Sequence, residues 1–279
     1  MALYTTGAAE LLRHEDGALV VRPVARESVA FLTTTVVTTQ GNDYRIPIVA
    51  TDPNAAWVAE GAEIPTSDAD VTETKVTPKK VAGLSIISVE LASDSNPAAA
   101  ETVGQGLARD IAKKVDAAFF ADTTTNGPSG LGSLTTSTVD TGGTITNTDP
   151  FSEAISKAEQ VGAQLTSFVA HPNDLLTMAK IKKMSGSNET LLAPNGDATL
   201  PARYQVAGVP LIASPAVTEG TIWGIPQAFV TTVLRSGTTI TADSSVFFTS
   251  DRVAIRAIMR VGFGFPHPLA IVKLADATP

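Results

Sequence analysis

Arg252-Val253-Ala254-Ile255-Arg256-Ala257-Ile258-Met259-Arg260-Val261-Gly262-Phe263-Gly264-Phe265 sets apolar residues at every odd position and Arg252, Arg256 and Arg260 at even ones. Strand side chains alternate between faces, so this spacing predicts a β-strand with one apolar and one cationic face. A helix would also align the arginines but would scatter the apolar residues around its circumference. The apolar face needs a cover, and 97–121 offers one. Asn96-Pro97 suits a helix start, with Asn96 as cap and Pro97 in the first turn. Val103, Leu107, Ile111, Val115 and Phe119 then recur every four residues as one stripe. Such a helix is about 37 Å long at 1.5 Å per residue. Gly104 and Gly106 weaken it and permit close backbone approach on one side.

Strand and helix stand far apart in the chain, and the stretch between them has its own alternation. Asp149-Pro150 opens a helix with Phe151, Ile155, Ala158, Val161 and Leu165 on its buried side. A short strand at 168–170 leads through His171-Pro172-Asn173-Asp174 into a third helix reaching about 184. Strands follow at 209–213, 221–224 and 229–234, while 133–149 and 185–201 read as loop. Helices alternating with strands mark a separate unit. The expected architecture is α+β, a two-domain plate with the 133–227 unit inserted between the long helix and the last strand.

N-terminal to the helix, 1–30 reads as an arm lying on other surfaces, followed by strands at 31–37 and 44–50. Asp52, Glu60, Glu63, Asp68, Asp70 and Glu73 then occur with no Lys or Arg among them, before a strand-like return through 76–89. The reading is a long two-stranded excursion, 46–86, with an acidic tip. A hairpin of that length has no core of its own and needs a surface to lie on.

The 279 residues are 43 % apolar and 17 % charged, with a net charge of −8. An ordinary domain carries roughly 25 % charged residues, so neutral polar groups or partners cover much of this surface. A pI near 4.9 argues against a nucleic-acid binder. The absence of cysteine excludes disulfides, thiolate nucleophiles and Cys-metal sites. No apolar run is long enough to span a bilayer, and residues 1–6 lack signal-peptide character. His14, His171 and His267 are too dispersed for a metal centre. Gly127-Pro128-Ser129-Gly130-Leu131 misses the nucleophile-elbow pattern at its last position. Ser67-Asp68-Ala69-Asp70 lacks the remaining ligands of a calcium loop. No cofactor, metal or catalytic residue is expected. What remains is charge: the acidic excursion of one copy complements the arginine face of another. Lys79-Lys80, Lys113-Lys114 and Lys182-Lys183 read as solvated pairs. Surface ion pairs contribute ~0–1 kcal/mol each and set register, while apolar burial supplies affinity.

Ala56-Trp57-Val58-Ala59-Glu60-Gly61-Ala62-Glu63-Ile64-Pro65-Thr66-Ser67-Asp68 resembles the projecting-loop signature of tailed-phage major capsid proteins. Thr77-Pro78-Lys79-Lys80-Val81-Ala82-Gly83-Leu84, continuing to Asp94-Ser95, is similar to the segment that follows it, and Val169-Ala170-His171-Pro172-Asn173-Asp174 to a strand-to-helix junction. The resemblance implies the Hong Kong 97-type capsid fold: an N-terminal arm at 1–30, an extended loop at 45–86, a peripheral domain from 31–44, 87–130 and 228–279 with a spine helix at 97–121, and an axial domain at 131–227. It implies hexamers and pentamers in an icosahedral shell around double-stranded DNA, which is enclosed and not specifically bound. Such a protein is made in the host bacterial cytoplasm and ends in the virion. A portal, a decoration protein and a separate scaffolding protein belong with it; the last follows from a start at Met1 almost directly on the arm. The expected interface residues are Asp52, Trp57, Glu60, Glu63, Asp68, Asp70 and Glu73 on the loop, and Arg252, Arg256, Arg260, Lys113 and Lys114 as the basic partner. No Lys falls between 46 and 74, so no loop-lysine crosslink is expected. The alternative is an encapsulin-type shell enclosing protein cargo.

Overall fold

The computed structural model describes residues 28–276 apart from 52, 62, 64, 67, 69, 90–97, 144, 185, 195–203 and 244. In chain order the elements are α1 (Val29–Thr33), β1 (Thr35–Thr39), β2 (Tyr44–Thr51), β3 (Asp70–Val76), β4 (Lys79–Ser88) and α2 (Ala98–Phe120). There follow β5 (Ser137–Asp140), α3 (Asp149–Gln160), β6 (Ser167–Ala170), α4 (Pro172–Lys180), β7 (Ala193–Pro194), β8 (Tyr204–Val206) and β9 (Val209–Ala213). The chain closes with β10 (Thr221–Ile225), β11 (Thr231–Asp243), β12 (Arg252–Gly264) and β13 (Val272–Ala275).

The odd face of β12 is covered as its spacing requires. Ile255, Ala257, Met259, Val261 and Phe263 are buried in one cluster with Ile111, Val115 and Phe119 of α2. Phe119 meets Phe120 and Phe263 edge-on, with ring centroids 5.0 Å apart in each pair. The close approach comes from the sheet rather than from the helix glycines. A methyl on Gly83 of β4 would lie 2.9 Å from Leu107 Cδ2, whereas one on Gly104 would sit 3.8 Å from Ile240 Cδ1, an ordinary contact. The sheet runs β1-β11-β12-β4, with β1 parallel to β11 and the other pairs antiparallel.

The second sheet has seven strands in the order β5-β13-β10-β6-β9-β8-β7. Its Phe168, Ala170, Ile222, Val272 and Leu274 pack with α3 and α4 residues such as Phe151, Ala154 and Met178. Phe151 and Phe168 meet edge-on at 5.0 Å. Val169, Trp223, Ile225 and Ile271 point the other way, into the cluster under α2. The two sheets therefore share a core.

Several expectations need correction. Residues 31–37 are not one strand: Val29–Thr33 is helical and β1 starts at Thr35. The excursion is shorter than 46–86, because β2 pairs only with β3, while Lys79–Ser88 joins β12 in the four-stranded sheet. The 133–149 stretch contains β5, a strand with one buried residue, Val139. α4 ends at Lys180 rather than near 184, with Ile181 already extended. Val272–Ala275, which the resemblance places with the long helix and strand in 228–279, pairs with β10 and β5 inside the seven-stranded sheet. The Asn96-Pro97 start and most of the 1–30 arm lie outside the described residues.

The first correction has a tertiary cause. Asp116 on α2 is buried and caps α1 from outside its own chain segment. Its Oδ1 accepts from Ser28 Oγ at 2.6 Å and Ala30 N at 3.0 Å, and its Oδ2 from Val29 N at 3.1 Å. First-turn amides need acceptors, and here the acceptor is some ninety residues away in the chain. Burial raises the Asp116 pKa above the ordinary 3.8, although the Ala30, Ser28 and Val29 hydrogen bonds pull it down.

Replacing Asp116 with Ala strands those three donors and is expected to cost about 2 kcal/mol, read as a lowered denaturant midpoint of the unassembled chain. With a raised folded pKa, the native state keeps a proton that the unfolded chain has lost. The stability difference between wild type and Asp116→Ala should therefore fall as pH rises from 3.8 through the folded value, and level off above it.

Candidate functional site

β2 and β3 form a two-stranded ribbon apart from both sheets. Beyond it every described residue from 53 to 70 is exposed, including Glu60, Glu63, Asp68 and Asp70. Trp57 is fully exposed, and Val49 and Val71, paired in register, are 54 % and 61 % exposed. A large aromatic and a cross-strand valine pair thus face solvent on one projection. Asp52 lies outside the described residues. Glu73 is in β3 rather than the tip, and its Oε1 pairs with Arg45 Nη1 at 3.1 Å.

The base of the ribbon is tied and seated. Asp43 accepts from Thr77 Oγ1 at 2.7 Å and pairs with Lys75 Nζ at 2.9 Å. These two donors, Lys75 first, hold its carboxyl below the ordinary range. Val76 is buried where the ribbon meets the even face of β12. A methyl on Gly262 would come within 2.8 Å of Val76 Cγ1, and one on Gly264 within 2.8 Å of Val76 Cγ2 and 2.7 Å of Ile46 Cδ1. Gly262-Phe263-Gly264 is thus a packing device, which the alternating pattern alone does not reveal.

Much of the rest of that face is exposed, though Ala254 is buried and Ile258 half-buried. Arg252, Arg256 and Arg260 are exposed, as the period-two pattern requires. Register places Leu84 beside Arg256 and Ile86 beside Ala254, and these two apolar side chains are 61 % and 42 % exposed. Register also sets Arg260 between Lys80 of β4 and Arg235 of β11, a lateral row of three cations. Like charges directly opposite on neighbouring strands destabilise a sheet. The ion pairs found among the described residues, Arg45–Glu73, Lys75–Asp43, Lys157–Glu153 and Lys183–Glu189, include none of these cations. Sequence reading missed Lys80 and Arg235, because only strand pairing brings them beside Arg260; a shift in register between Arg235 and Thr239 separates Arg235 from the pattern of its own strand.

Lys113 and Lys114 stand elsewhere. Both are exposed on α2, which covers the odd face of β12, so they project from the opposite side of the layer to the arginines.

The remaining motifs are structural. His171 Nδ1 accepts from Asn173 N at 3.3 Å and caps α4, and the His267 ring packs edge-on against Phe229. Gly130 closes the end of α2, where a methyl would fall 2.2 Å from Ala118 O. No cluster of three or more metal-ligating side chains occurs among the described residues. A hollow of about 480 Å³ beside α4 is lined by Asp174, Glu219, Asp276 and Met178 among others; Asp174 there accepts from Gly220 N at 2.8 Å. No described helix is long and apolar enough to cross a membrane.

The family model described as the phage capsid family matches residues 16–276. Among solved structures, the capsid of an empty GTA particle superposes with TM-score 0.74 at 19 % identity, covering 88 % of this chain and 89 % of that one. Chains of Microbacterium phage Oxtober96 (TM-score 0.72, 15 % identity, 90 % and 91 % covered) and Mycobacterium phage Cain (0.72, 16 %, 91 % and 92 %) are similar to the same extent. At these identities the likeness shows the fold. No curated protein sequence matches.

Of the two tryptophans, Trp57 is exposed and Trp223 is 4 % exposed. Acrylamide should quench the Trp57 emission of a Trp223→Phe chain readily and that of Trp223 in a Trp57→Phe chain poorly. Trp57→Ala should change the stability of the unassembled chain by less than about 0.5 kcal/mol, measured by denaturant unfolding.

Proposed function

The chain belongs to the phage capsid family and is a capsid shell protein, and from that premise we propose that it closes, through hexamers and pentamers, the icosahedral head that encloses the double-stranded DNA of a tailed phage. The observation that carries this reading is a matched pair of uncovered surfaces on one chain. One is a projecting ribbon with an acidic and apolar tip, Trp57, Glu60, Glu63, Asp68 and Asp70. The other is a sheet face with exposed Leu84 and Ile86 among Arg252, Arg256 and Arg260. Each repels itself and each fits the other. Two complementary patches at different places on one molecule make head-to-tail contacts, which close into rings when the rotation permits. Burial of Trp57, Leu84 and Ile86 supplies affinity, and the charges set register.

In this reading β2, β3 and the tip are the extended loop. The four-stranded sheet with α2 is the peripheral domain, α2 its spine helix, and the seven-stranded sheet with α3 and α4 the axial domain. The shell subunit does no chemistry, and the acidic balance of the chain keeps its surface from gripping packaged DNA. A scaffolding protein, a portal and decoration proteins are the further partners, and the virion its destination after synthesis in the bacterial cytoplasm. Lys113 and Lys114, on the other side of the layer, are left out of the loop contact.

Electron microscopy and sedimentation of the purified protein at high and low concentration should show shells, rings or tubes. A monomer under every condition, with scaffold present, would sink the proposal, and a small uniform shell carrying co-purified protein would favour a cargo compartment. Arg256→Glu should abolish assembly while leaving the unfolding midpoint of the unassembled chain unchanged within about 0.5 kcal/mol, and raised salt should weaken assembly of the wild type.

A further inference from the structure

We propose that Gly262 and Gly264 form a two-position socket that fixes the angle at which the β2–β3 ribbon leaves the sheet, with Val76 as its plug. The argument starts from β12, whose even positions otherwise carry arginine, alanine or isoleucine. Only the last two of them, Gly262 and Gly264, lack a side chain altogether, and there the ribbon base descends onto the strand. One side chain straddles both: Val76 Cγ1 stands 2.8 Å from where a Gly262 methyl would lie, and Cγ2 at 2.8 Å from a Gly264 methyl. Ile46, from the opposite strand of the ribbon, fills the second position at 2.7 Å, and the Pro78 backbone closes the first at 3.2 Å. Side-chain ends yield to an added methyl, but the Pro78 backbone yields only by moving the chain.

The seating takes in both ribbon strands, through Ile46 of β2 and Val76 of β3. It therefore resists rocking as well as sliding. Asp43 ties the same end through Lys75 and Thr77, so the base is clamped on its exposed side and plugged on its buried side. A small rotation at the socket sweeps the tip through a large arc, since β2 alone is eight residues, about 26 Å at 3.3 Å per residue. The inference deepens the shell reading on which it rests, for the socket aims the tip that a second copy receives.

The chain has no cysteine, so two spin labels report the angle directly. Glu60→Cys and Glu159→Cys, both at exposed positions, give a tip-to-body distance by pulsed electron resonance on the unassembled protein. Gly264→Ala should shift or broaden that distance distribution, and Ile46→Ala in the same chain should bring it back only in part, because Val76 Cγ2 still meets the added methyl. If Gly264→Ala does not fold, Val76→Ala, which empties the socket without adding bulk, should broaden the distribution by itself. An unchanged distribution in the folded variants would overturn the proposal, whatever their assembly. Failure of the wild-type chain to assemble, with the distances behaving as expected, would count against the shell reading alone.

Discussion

The contact between the apolar stripe of α2 and the odd side chains of β12 is the constraint from which the four-stranded layer follows. Once Phe119, Val115 and Ile111 occupy one face of β12, every even residue of that strand must point away, arginines included. The helix lies close because Gly83 leaves room for Leu107, and that closeness also brings Asp116 within reach of residues 28–30. A single helix thus organises the sheet beneath it and the entry of the chain beside it. Burial of a carboxylate is costly without partners, and three donors from one short segment offset much of that cost. The helical turn at Val29–Thr33 exists because those amides have an acceptor.

The layer is consequently two-sided in a chemical sense. One side is helix, with Lys113 and Lys114 outward. The other is divided between a glycine-floored end that holds the projecting ribbon and a longer end where arginines and exposed leucine and isoleucine remain uncovered. The division falls between Arg260 and Gly262, adjacent positions on the same face. Charge and covering therefore change within one strand step, and the cations nearest the seat are those with neighbours of like sign on both flanking strands.

Period-two and period-four spacing made β12 and α2 legible, because both elements show one periodic face to one core. The acidic run at 52–73 announced a projection for the same physical reason, since a segment without apolar periodicity has nothing to bury. What stayed hidden depended on contacts between distant residues. β4 carries apolar residues on both faces, Val81 and Ile87 on one and Leu84 and Ile86 on the other, so its own pattern names no partner and only its pairing with β12 assigns it to the sheet. β13 is four residues long, too short for its partners to be read from its own composition. α1 resembles a strand because its β-branched and aromatic residues favour one, and its cap belongs to another element. On the open face the three arginines were legible as a set, whereas Lys80, Arg235 and the two glycines acquire meaning only through register.

The connection between the sheets has a mechanical consequence. β10 pairs antiparallel with β13 in one sheet, and β11 pairs antiparallel with β12 in the other. Residues 221–275 are thus one long ribbon, bent once, whose two legs pass from sheet to sheet side by side. A load that pulls the sheets apart runs along the strand axes and must shear many ladder hydrogen bonds together, where a peeling load would break them one at a time. In a subunit of a capsid shell, the join between its two sheets is the place for such a doubled tether.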